Sequence, residues 1–333
     1  MNIAVVGATG VVGETILQVL AERDIAFNRI GAFASREREG GVRFRGEPLD
    51  VEATTHLALR DYDVVFFASS EAASEEFAPP IVDRGGYVID NSSTYRMASG
   101  APLIVPEVNA HAILSSHRLF PVGNCTAIIL CVGLAAVRNV AGLSNVRVAT
   151  YQAVSGAGRA GLDEFLADER AVASGEAEPR AQIFPAAIAR NVIPQVGAFE
   201  ADGYTGEEAK VREETRKVFE LPGLPVTATT VRVPVRTAHS EAVFVETERP
   251  TSIAELAAAL ENAPGIVFHQ TGIVTPRDVE GTDAVHVARL RAEDDGGRRF
   301  ALWLVGDQLR KGAATNGVQI LELLLSRGAL QAA

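Results

Sequence analysis

Short apolar runs alternate with helical stretches over the first third of the chain. The β-branched run at residues 2–6, NIAVV, is followed by the glycine turn GATGVVG and by ETILQVLAER, whose apolar residues recur at helical spacing. Further apolar runs follow in the order RIGAFAS, DVVFFAS, YVIDNSS and PLIVPEV. Runs of this kind, separated by polar or helical stretches, are typical of a parallel sheet buried on both faces. The pattern predicts an N-terminal doubly wound (Rossmann) domain.

The pattern changes after about residue 125. Longer alternating stretches rich in Val and Thr predict a mixed sheet: NVRVATYQAV, PVTATTVRVPV, SEAVFVETE, DAVHVARLRAE and RFALWLVGD. Helical stretches lie between them, among them SIAELAAALENAPG with Ser252 as its cap, and the loop at 174–180 is expected to be exposed. We expect an α/β protein with a first domain over 1–125, joined by a C-terminal helix at about 313–330, and a second α+β domain over 126–312.

Composition and charge narrow the classes of partner. A chain of 333 residues, 47% of them hydrophobic, is longer than one ordinary core needs, which agrees with two domains. Its net charge of -11 argues against a nucleic acid, because phosphate binding needs a basic face. No run approaches the roughly 18 apolar residues of a membrane span, and no secretory signal pattern begins the chain. We therefore expect a small-molecule partner.

The cysteine content bears on metal binding and on location. The chain has two cysteines, separated by five residues, with no cluster of Cys or His beside them. Two cysteines cannot form a disulfide framework, and this spacing does not match a zinc site. We expect no metal site and a reducing, cytoplasmic location.

The glycine turn after the first strand carries candidate cofactor chemistry. Glycines at 7, 10 and 13 can turn tightly, let a pyrophosphate approach the backbone and start a helix whose amides face the anion. The spacing is G-x-x-G-x-x-G, not the stricter G-x-G-x-x-G, and a glycine turn also has a purely structural use. Its place directly after an N-terminal strand favours a dinucleotide. The cofactor-binding residues predicted here are Gly7, Ala8, Thr9, Gly10, Val11 and Val12.

The end of the second predicted strand bears on the choice between NAD and NADP. An NAD enzyme usually places Asp or Glu about 20 residues after the turn, where it binds the ribose hydroxyls. Ser35 and Arg36 occupy that place, and a hydroxyl with a guanidinium suits a 2′-phosphate better than a bare ribose. We predict NADP (NADPH) over NAD; the alternative is a solvated charge run.

The two cysteines lie in one apolar run, NCTAIILCVGLAAV. Cys125 follows the polar Asn124 and is expected in the first turn of a buried helix, where the helix N-terminus favours a thiolate. Cys131 lies nearly two turns further on, among apolar residues. We predict that Cys125 is a nucleophile and that Cys131 belongs to the core.

His239 follows a strand that contains the charged Arg232, but a lone histidine is more often structural than catalytic.

Eight segments occur in an order that resembles the aspartate-semialdehyde dehydrogenase family over nearly the full length: GATGVVG, DNSSTYRM, GNCTA, TYQAVSGAG, NVIPQVGAF, GYTGEEAK, RVPVRTAHSEA and GDQLRKGAATNGVQI. The resemblance implies NADPH-dependent reductive dephosphorylation of L-aspartyl 4-phosphate to L-aspartate 4-semialdehyde and phosphate through a cysteine thioester. This step feeds lysine, threonine, methionine and diaminopimelate synthesis. The resemblance also implies a homodimer or homotetramer, formed through the second domain.

The resemblance also assigns roles to individual residues. Cys125 in GNCTA is similar to the family's nucleophile, His239 in TAHSEA to its acid/base and Gln152 in TYQAV to the residue that orients the acyl intermediate. An acid/base histidine is expected to have a pKa near neutrality. The implied substrate contacts are Arg232 for the carboxylate, Glu207 for the amine, Arg96 and Lys210 for the phosphate, and Asn124 beside the nucleophile. The implied cofactor contacts beyond the turn and second strand are Ser69, Ser155, Gly156 and Asn316.

The chain departs from the family pattern at three places. Gly123 stands where the family commonly has proline before the Asn-Cys pair, and Gly317 replaces alanine in the last helix. The segment FASSEAASEE at 67–76 replaces a glycine-rich turn, and its Glu71 would repel a pyrophosphate unless the side chain points away. These departures indicate a divergent member.

Two other functions compete with this interpretation. N-acetyl-glutamyl-phosphate reductase uses the same thioester logic on an acylated amine, which has no need of a carboxylate such as Glu207. A catalytically silent paralogue would bind a dinucleotide and serve as an assembly partner. The joint presence of Cys125, Gln152, Arg232 and His239 argues against it, because a binding module needs none of these residues.

Overall fold

The computed structural model describes residues 1–176 and 181–330, except for the side chain of Glu39. The chain divides into two compact units: a first unit of Met1–Gly123 with the C-terminal segment from Ala313, and a second unit of Asn124–Gly312. Residues 177–180 of the loop expected at 174–180 lie outside the described residues. No helix within the described ranges is long and apolar enough to cross a membrane.

The first unit is a doubly wound α/β domain, which confirms the predicted fold class. Its strands are β1 (Asn2–Val6), β2 (Arg29–Ala34), β3 (Arg38–Phe44), β4 (Glu47–Ala53), β5 (Val64–Phe67), β6 (Tyr87–Asp90) and β7 (Leu119–Pro121). In the part of the chain that is described, they form one sheet in the order β3-β4-β2-β1-β5-β6-β7, parallel except for the β3–β4 hairpin. The helices are α1 (Val11–Glu22), α2 (His56–Leu59), α3 (Glu71–Asp83) and α4 (Pro106–Asn109).

The centre of the first sheet is covered on both faces. All four residues of β5 and of β6 are buried, and both strands are continuous apolar runs except for Asp90 at the end of β6. Phe33, Tyr62 and Phe67 fill one part of this core. A parallel sheet buried in this way fixes the loops at its strand ends, where a doubly wound domain binds its ligand.

The second unit is built on a mixed sheet, as predicted. Its strands are β8 (Asn145–Gln152), β9 (Val226–Arg232), β10 (His239–Glu246), β11 (Ile266–His269), β12 (Val285–Ala292) and β13 (Arg299–Gly306). The described strands are ordered β11-β12-β13-β10-β8-β9, with β8–β9 and β11–β12 parallel and the other pairs antiparallel. The helices are α5 (Cys125–Ala141), α6 (Gly158–Ser174), α7 (Gly206–Phe219), α8 (Ile253–Glu261) and α9 (Pro276–Val279).

Helix α5 packs closely on one face of the second sheet. A Cβ at Gly133 of α5 would lie 2.5 Å from the side chain of Leu304 on β13, so the helix and the strand approach at a distance that glycine permits. Along β10, alternate residues such as Val243 and Val245 face this buried side, whereas Phe244 between them is half-buried. The sheet therefore has one face under α5 and one that is less covered.

The last helix, α10 (Thr315–Ser326), belongs to the first unit. A π-helical turn at Arg310–Ala314 precedes it.

Helix α8 begins with the predicted cap: Ser252 accepts from the backbone N–H of Glu255, whose carboxylate accepts from the N–H of Ser252.

Several sequence-based expectations about the strands were wrong. PLIVPEV forms no strand: residues 102–105 are irregular and Pro106 begins α4, while the edge strand is β7, which the apolar pattern did not indicate. Arg232 is the last residue of β9 and not an interior one, because Pro234 has no N–H to continue the ladder. The hairpin β3–β4 and the strand β11 were also missed.

Candidate active site

Three buried polar side chains meet in the second unit's sheet, at the end where β8 and β9 stop and β10 begins. Strands β8 and β9 are parallel and β10 is antiparallel to β8, so the ends of the first two lie beside the start of the third. Gln152 ends β8, Arg232 ends β9 opposite it in register, and His239 begins β10. All three are at most 6% exposed. Two of them, Arg232 and His239, are ionisable, and buried ionisable groups in one place are a mark of a functional site.

The N-terminus of α5 places a sulfur at the same end of the sheet. Cys125 is the first residue of α5, and its Sγ lies 3.4 Å from Nε2 of His239. Asn124 is the cap: its side-chain oxygen accepts from the backbone N–H of Thr126 at 3.0 Å and of Ala127 at 3.2 Å. Cys131 is fully buried further along α5, and burial raises the pKa of its thiol far above the ordinary value. The two cysteines therefore have different environments.

The backbone fixes the neutral form of His239. The N–H of Ala153 donates to Nδ1 at 3.1 Å, so the proton of the neutral ring lies on Nε2, which faces the Cys125 sulfur. Burial, and after it the positive charge of Arg232, hold the pKa of His239 well below its usual range. The near-neutral pKa expected from the sequence is not what this environment gives. The resting ring is a neutral hydrogen-bond donor towards the sulfur.

Arg232 is the buried cation of the site. Its Nη1 donates to the carbonyl of Ala153 at 2.7 Å. Burial lowers the pKa of the guanidinium, and the charges of Glu207 and Cys125 act in the opposite direction. A guanidinium held among these groups can pair with a carboxylate or another anion that enters the site.

Two glycines allow the close packing of the site. A Cβ at Gly156 would lie 2.8 Å from Nη1 of Arg232 and 3.2 Å from the His239 ring. A Cβ at Gly312 would lie 2.8 Å from the Cβ of Cys125. Gly156 was expected to contact the cofactor, and the structure places it against the guanidinium and the imidazole of its own unit. Gly312 was not singled out in the sequence, because only the fold brings it to the sulfur-bearing residue.

Helix α7 adds a carboxylate to the site. Oε1 of Glu207 accepts from Nδ2 of Asn124 at 2.9 Å and from Nε2 of Gln152 at 3.1 Å. Lys210, three residues later on the same helix, is exposed. Asn124, Gln152 and Glu207 thus form one hydrogen-bonded group next to Cys125.

A second carboxylate of α7 was missed by the sequence analysis. Glu214 is 2% exposed, and its Oε2 accepts from the backbone N–H of Asn124. Its spacing in the sequence could have indicated it. Residues seven apart on a helix lie two turns apart on nearly the same face, so Glu214 lies on the same face of α7 as Glu207.

The first unit contains a crevice suited to a dinucleotide. The chain leaves β1 for β2 on one side and reaches β5 on the other, so the carboxyl ends of β1 and β5 form the switch point of the sheet. Gly7 has φ +82°, and a Cβ there would lie 2.3 Å from the carbonyl of Ala68, directly after β5. A Cβ at Gly13 would lie 2.2 Å from the carbonyl of Gly7. The segment from Gly7 to Val12 therefore forms a tight turn onto the N-terminus of α1, which fits a pyrophosphate.

Other predicted cofactor residues lie around this crevice. Ser35 and Arg36 are exposed directly after β2. Ser69 follows β5, and its buried hydroxyl has no hydrogen-bond partner among the described residues, as expected of a group that binds a ligand. The carboxylate of Glu71 accepts from the hydroxyl of Ser93, so it is engaged by a neighbour within the unit.

The remaining predicted residues are divided between the two units. In the first, Arg96 donates from Nη2 to the carbonyl of Asn91 at 2.9 Å, and Asn316 donates to the carbonyl of Ile104 at 2.8 Å. In the second, the hydroxyl of Ser155 donates to the carbonyl of Arg236 at 2.6 Å. The second unit brings together Cys125, His239, Gln152, Asn124, Glu207, Arg232 and Gly156. Over the described ranges, no group of three or more His, Cys, Asp or Glu side chains is arranged to hold a metal ion.

Glu241 is a further buried carboxyl close to the site along β10. It lies two residues after His239 and is fully buried, and neither of its oxygens has a hydrogen-bond partner in the described part of the chain. Burial raises the pKa of Glu241 well above its usual range. Its charge acts on the thiol of Cys131, which places the two groups near each other under α5.

Comparisons with known proteins match both units. The model of the semialdehyde dehydrogenase NAD binding domain matches residues 2–116, and that of the semialdehyde dehydrogenase dimerisation domain matches 134–311. An aspartate-semialdehyde dehydrogenase of Aquifex aeolicus is 39% identical over 98% of both chains, and aspartate-semialdehyde dehydrogenase 2 of Vibrio cholerae is 40% identical over 97% of both. The crystal structure of aspartate semialdehyde dehydrogenase II from Vibrio cholerae, complexed with ASA, superposes with a TM-score of 0.92 at 36% identity, covering 98% of each chain.

The buried Glu241 predicts a pH dependence of stability. A carboxyl whose folded-state pKa is raised stabilises the fold below its unfolded pKa, near 4.5, and loses that contribution as the pH rises through the folded pKa. Relative to Glu241→Gln, the wild type should therefore lose up to about 1.4 kcal/mol of unfolding free energy per pH unit between the unfolded pKa and the raised folded pKa, and no more at higher pH. Urea unfolding between pH 5 and 8 measures this difference, with Glu246→Gln on the same strand as control. Parallel curves for the wild type and Glu241→Gln would contradict it.

Proposed function

The chain belongs to the aspartate-semialdehyde dehydrogenase family, and we propose that it is an NADP-dependent enzyme that forms L-aspartate 4-semialdehyde and phosphate from L-aspartyl 4-phosphate. The reaction passes through a thioester on Cys125. The observation that carries the proposal is the 3.4 Å separation of Cys125 Sγ from His239 Nε2 at the start of α5. The names of the relatives and the ASA complex of the Vibrio cholerae enzyme support the same substrate. The product would feed lysine, threonine and methionine synthesis.

The first half of the reaction uses the sulfur and the imidazole. The Cys125 thiolate attacks the acyl carbon, a C–S bond forms, and the C–O bond to phosphate breaks with its electron pair on the leaving phosphate. The thiol proton of Cys125 is lost to solvent, and His239 is the proposed acid/base: its Nε2–H faces the sulfur and donates a hydrogen bond to the thiolate. It can then give its proton to the acyl oxygen as that oxygen becomes negatively charged, and take the proton back when the carbonyl reforms. Gln152 is proposed to orient the acyl group. Arg96 and Lys210 are proposed to bind the phosphate.

Substrate recognition follows from the two charged groups beside Cys125. Arg232 is proposed to pair with the substrate carboxylate, because its guanidinium is buried at the site and a guanidinium can donate to both oxygens of a carboxylate. Glu207 is proposed to bind the substrate amine through Oε2, since its Oε1 already accepts from Asn124 and Gln152. A carboxylate in this place favours a free amine over an acetylated one, which supports the aspartyl substrate over the N-acetyl-glutamyl one.

The dinucleotide fits the first unit. The turn from Gly7 to Val12 is proposed to hold the pyrophosphate, with Ser69 beside it and Asn316 near the nicotinamide amide. Ser35 and Arg36 are proposed to bind the 2′-phosphate, which is the basis for NADP over NAD. Ser155 and Gly156 of the second unit are proposed as further contacts. When bound, the reduced dinucleotide supplies the hydride that converts the thioester to the aldehyde.

The second unit is proposed to form a homodimer, with a dimer of dimers as the larger alternative. On the sheet face away from α5, Ala149 pairs with Ala242 across the strands, Phe244 is half-buried and Tyr151 is 39% exposed. The face also carries the exposed Arg147, opposite Phe244, and a second copy can cover its apolar part. The match of this unit to a dimerisation domain supports the proposal.

A nucleophilic thiol must stay reduced, which favours the cytoplasm.

The thioester proposal predicts different outcomes for the two cysteines. Cys125→Ala should lower phosphate-dependent turnover by about a thousandfold or more, because the reaction loses its nucleophile, whereas Cys131→Ala should keep activity within a fewfold. The measurement is NADP reduction followed by absorbance, with aspartate semialdehyde and with or without phosphate. Turnover of Cys125→Ala near the wild-type level would refute the mechanism.

The same assay separates the competing functions. A wild type that is active on N-acetyl-glutamate semialdehyde and inactive on aspartate semialdehyde would reassign the substrate. Binding of NADP without turnover of either aldehyde would point to a silent paralogue.

Cofactor choice is tested at Arg36. Arg36→Ala should raise KM for NADP by about 10- to 100-fold through loss of a charged hydrogen bond to the 2′-phosphate. KM for NAD should change by no more than about twofold, because the 2′-phosphate is the group that distinguishes the two. Initial rates against each dinucleotide measure this, with Arg45→Ala as control. Equal losses with NADP and NAD would remove the basis for NADP preference.

The proposed dimer interface is tested by a charge on its sheet face. Phe244→Glu should convert an assembly of at least two 35.2 kDa chains into a monomer, because it replaces an apolar ring of the interface by a charged group that must lose its water on association. Light scattering after size-exclusion chromatography gives the mass, and Leu57→Glu, an exposed site of the first unit, is the control. An unchanged mass for Phe244→Glu would place the interface elsewhere.

A further inference from the structure

Asn124, the residue before Cys125, is held at three separate points. Its side-chain oxygen accepts from the first backbone amides of α5, and its Nδ2 donates to Glu207. Its backbone N–H donates to Glu214. The first contact joins Asn124 to its own helix, whereas the other two attach it to α7.

The two carboxylates of α7 that bind Asn124 differ in their exposure. Glu207 is half-buried, next to Gln152 and Arg232, where a substrate can reach it. Glu214 is 2% exposed, and its neighbours include the buried thiol of Cys131 and Lys217 of its own helix. Glu214 is therefore shielded from solvent, and its hydrogen bond goes to the backbone of Asn124 and not to a side chain that can change rotamer.

The different exposure of Glu207 and Glu214 matters when a substrate binds. If Glu207 binds the substrate amine, its bond to Asn124 competes with a new charged partner, and that attachment to α7 weakens. The bond from Asn124 to Glu214 is independent of the substrate, because no ligand reaches a side chain so deeply buried. A hydrogen bond to a carboxylate is also shorter and stronger than one to a neutral acceptor.

We propose that Glu214 is a positioning residue for Cys125: through the backbone amide of Asn124 it fixes the start of α5 and keeps the sulfur at its distance from His239. The proposal rests on the proposed role of Cys125 as nucleophile. Helix α7 then supplies one carboxylate to the substrate and a second, two turns on, to the backbone beside the nucleophile. A displacement of the sulfur by about 1 Å lowers the rate of such a reaction on the order of a hundredfold.

Two variants and one matched control test the proposal. Glu214→Leu removes the acceptor, and Glu214→Gln keeps a carbonyl oxygen in the same place without the charge. Glu213→Leu is the control, because Glu213 is the adjacent residue, more exposed and paired with Arg212 and Arg216. The readouts are kcat and KM for aspartate semialdehyde, the rate of Cys125 alkylation by iodoacetamide identified by peptide mass, and the thermal midpoint.

The expected result is a loss in kcat and not in binding. Glu214→Leu should lower kcat by about 10- to 100-fold and slow Cys125 alkylation by about tenfold, with KM within about threefold of the wild type. Glu214→Gln should recover most of both losses, and Glu213→Leu should show neither. If Glu214→Leu does not fold, recovery is judged on Glu214→Gln alone, which should alkylate within about threefold of the wild type while its kcat falls by less than tenfold.

Other outcomes overturn the proposal in recognisable ways. A purely structural role would lower the thermal midpoint of the Glu214 variants and leave kcat per alkylatable Cys125, and the alkylation rate, unchanged. Glu214→Gln can be the one Glu214 variant that folds. In that case its Cys125 should not be alkylated as slowly as in a denatured sample, which gives the rate of an unpositioned cysteine. A rate as low as that would refute positioning by the acceptor oxygen. A wild type without turnover sinks the proposed function itself, and that failure is seen before any Glu214 variant is compared.

Discussion

The candidate active site depends on one contact, the approach of the Cys125 sulfur to the His239 imidazole at 3.4 Å. The two residues lie 114 positions apart in the sequence, and neither can be placed without the mixed sheet. Strand β10 begins at His239, α5 begins at Cys125, and the parallel pair β8–β9 ends beside them. Gly156 and Gly312 leave no room for a Cβ because the groups of the site lie directly against them. The architecture of the second unit thus brings the residues of the candidate active site together at these strand ends.

The electrostatics of the site oppose the charge of the whole chain. The net charge is -11, yet the buried guanidinium of Arg232 interacts electrostatically with both Cys125 and Glu207. Burial, and after it this cation, hold the pKa of His239 well below its usual range, and the Ala153 N–H leaves the proton of the neutral ring on Nε2. A neutral donor that faces a sulfur stabilises negative charge without first accepting a proton. The environment of His239 therefore bears on the mechanism as much as its identity does.

Much of the fold could be predicted from the sequence because its signals are local. Continuous apolar runs indicated the parallel sheet, and alternation in stretches such as 145–152 indicated the mixed one. The wrong expectations have local causes as well: PLIVPEV is apolar without being a strand, and Pro234 ends β9 at Arg232. The different environments of Cys125 and Cys131 also followed from the helix pattern. The hydrogen bonds of Glu214 and Ala153 could not be predicted, because they join elements distant in the chain, nor could the burial of Glu241, which depends on the packing of the fold.

The most direct test of the account is to trap the covalent intermediate. Wild-type protein mixed with aspartate semialdehyde and NADP in the absence of phosphate should accumulate an acyl adduct, because the thioester has no phosphate to accept the acyl group. Peptide mass analysis should place the adduct on Cys125 and none on Cys131, and added phosphate should discharge it. An adduct on Cys131, or turnover on adding phosphate with no adduct at any cysteine beforehand, would contradict the account.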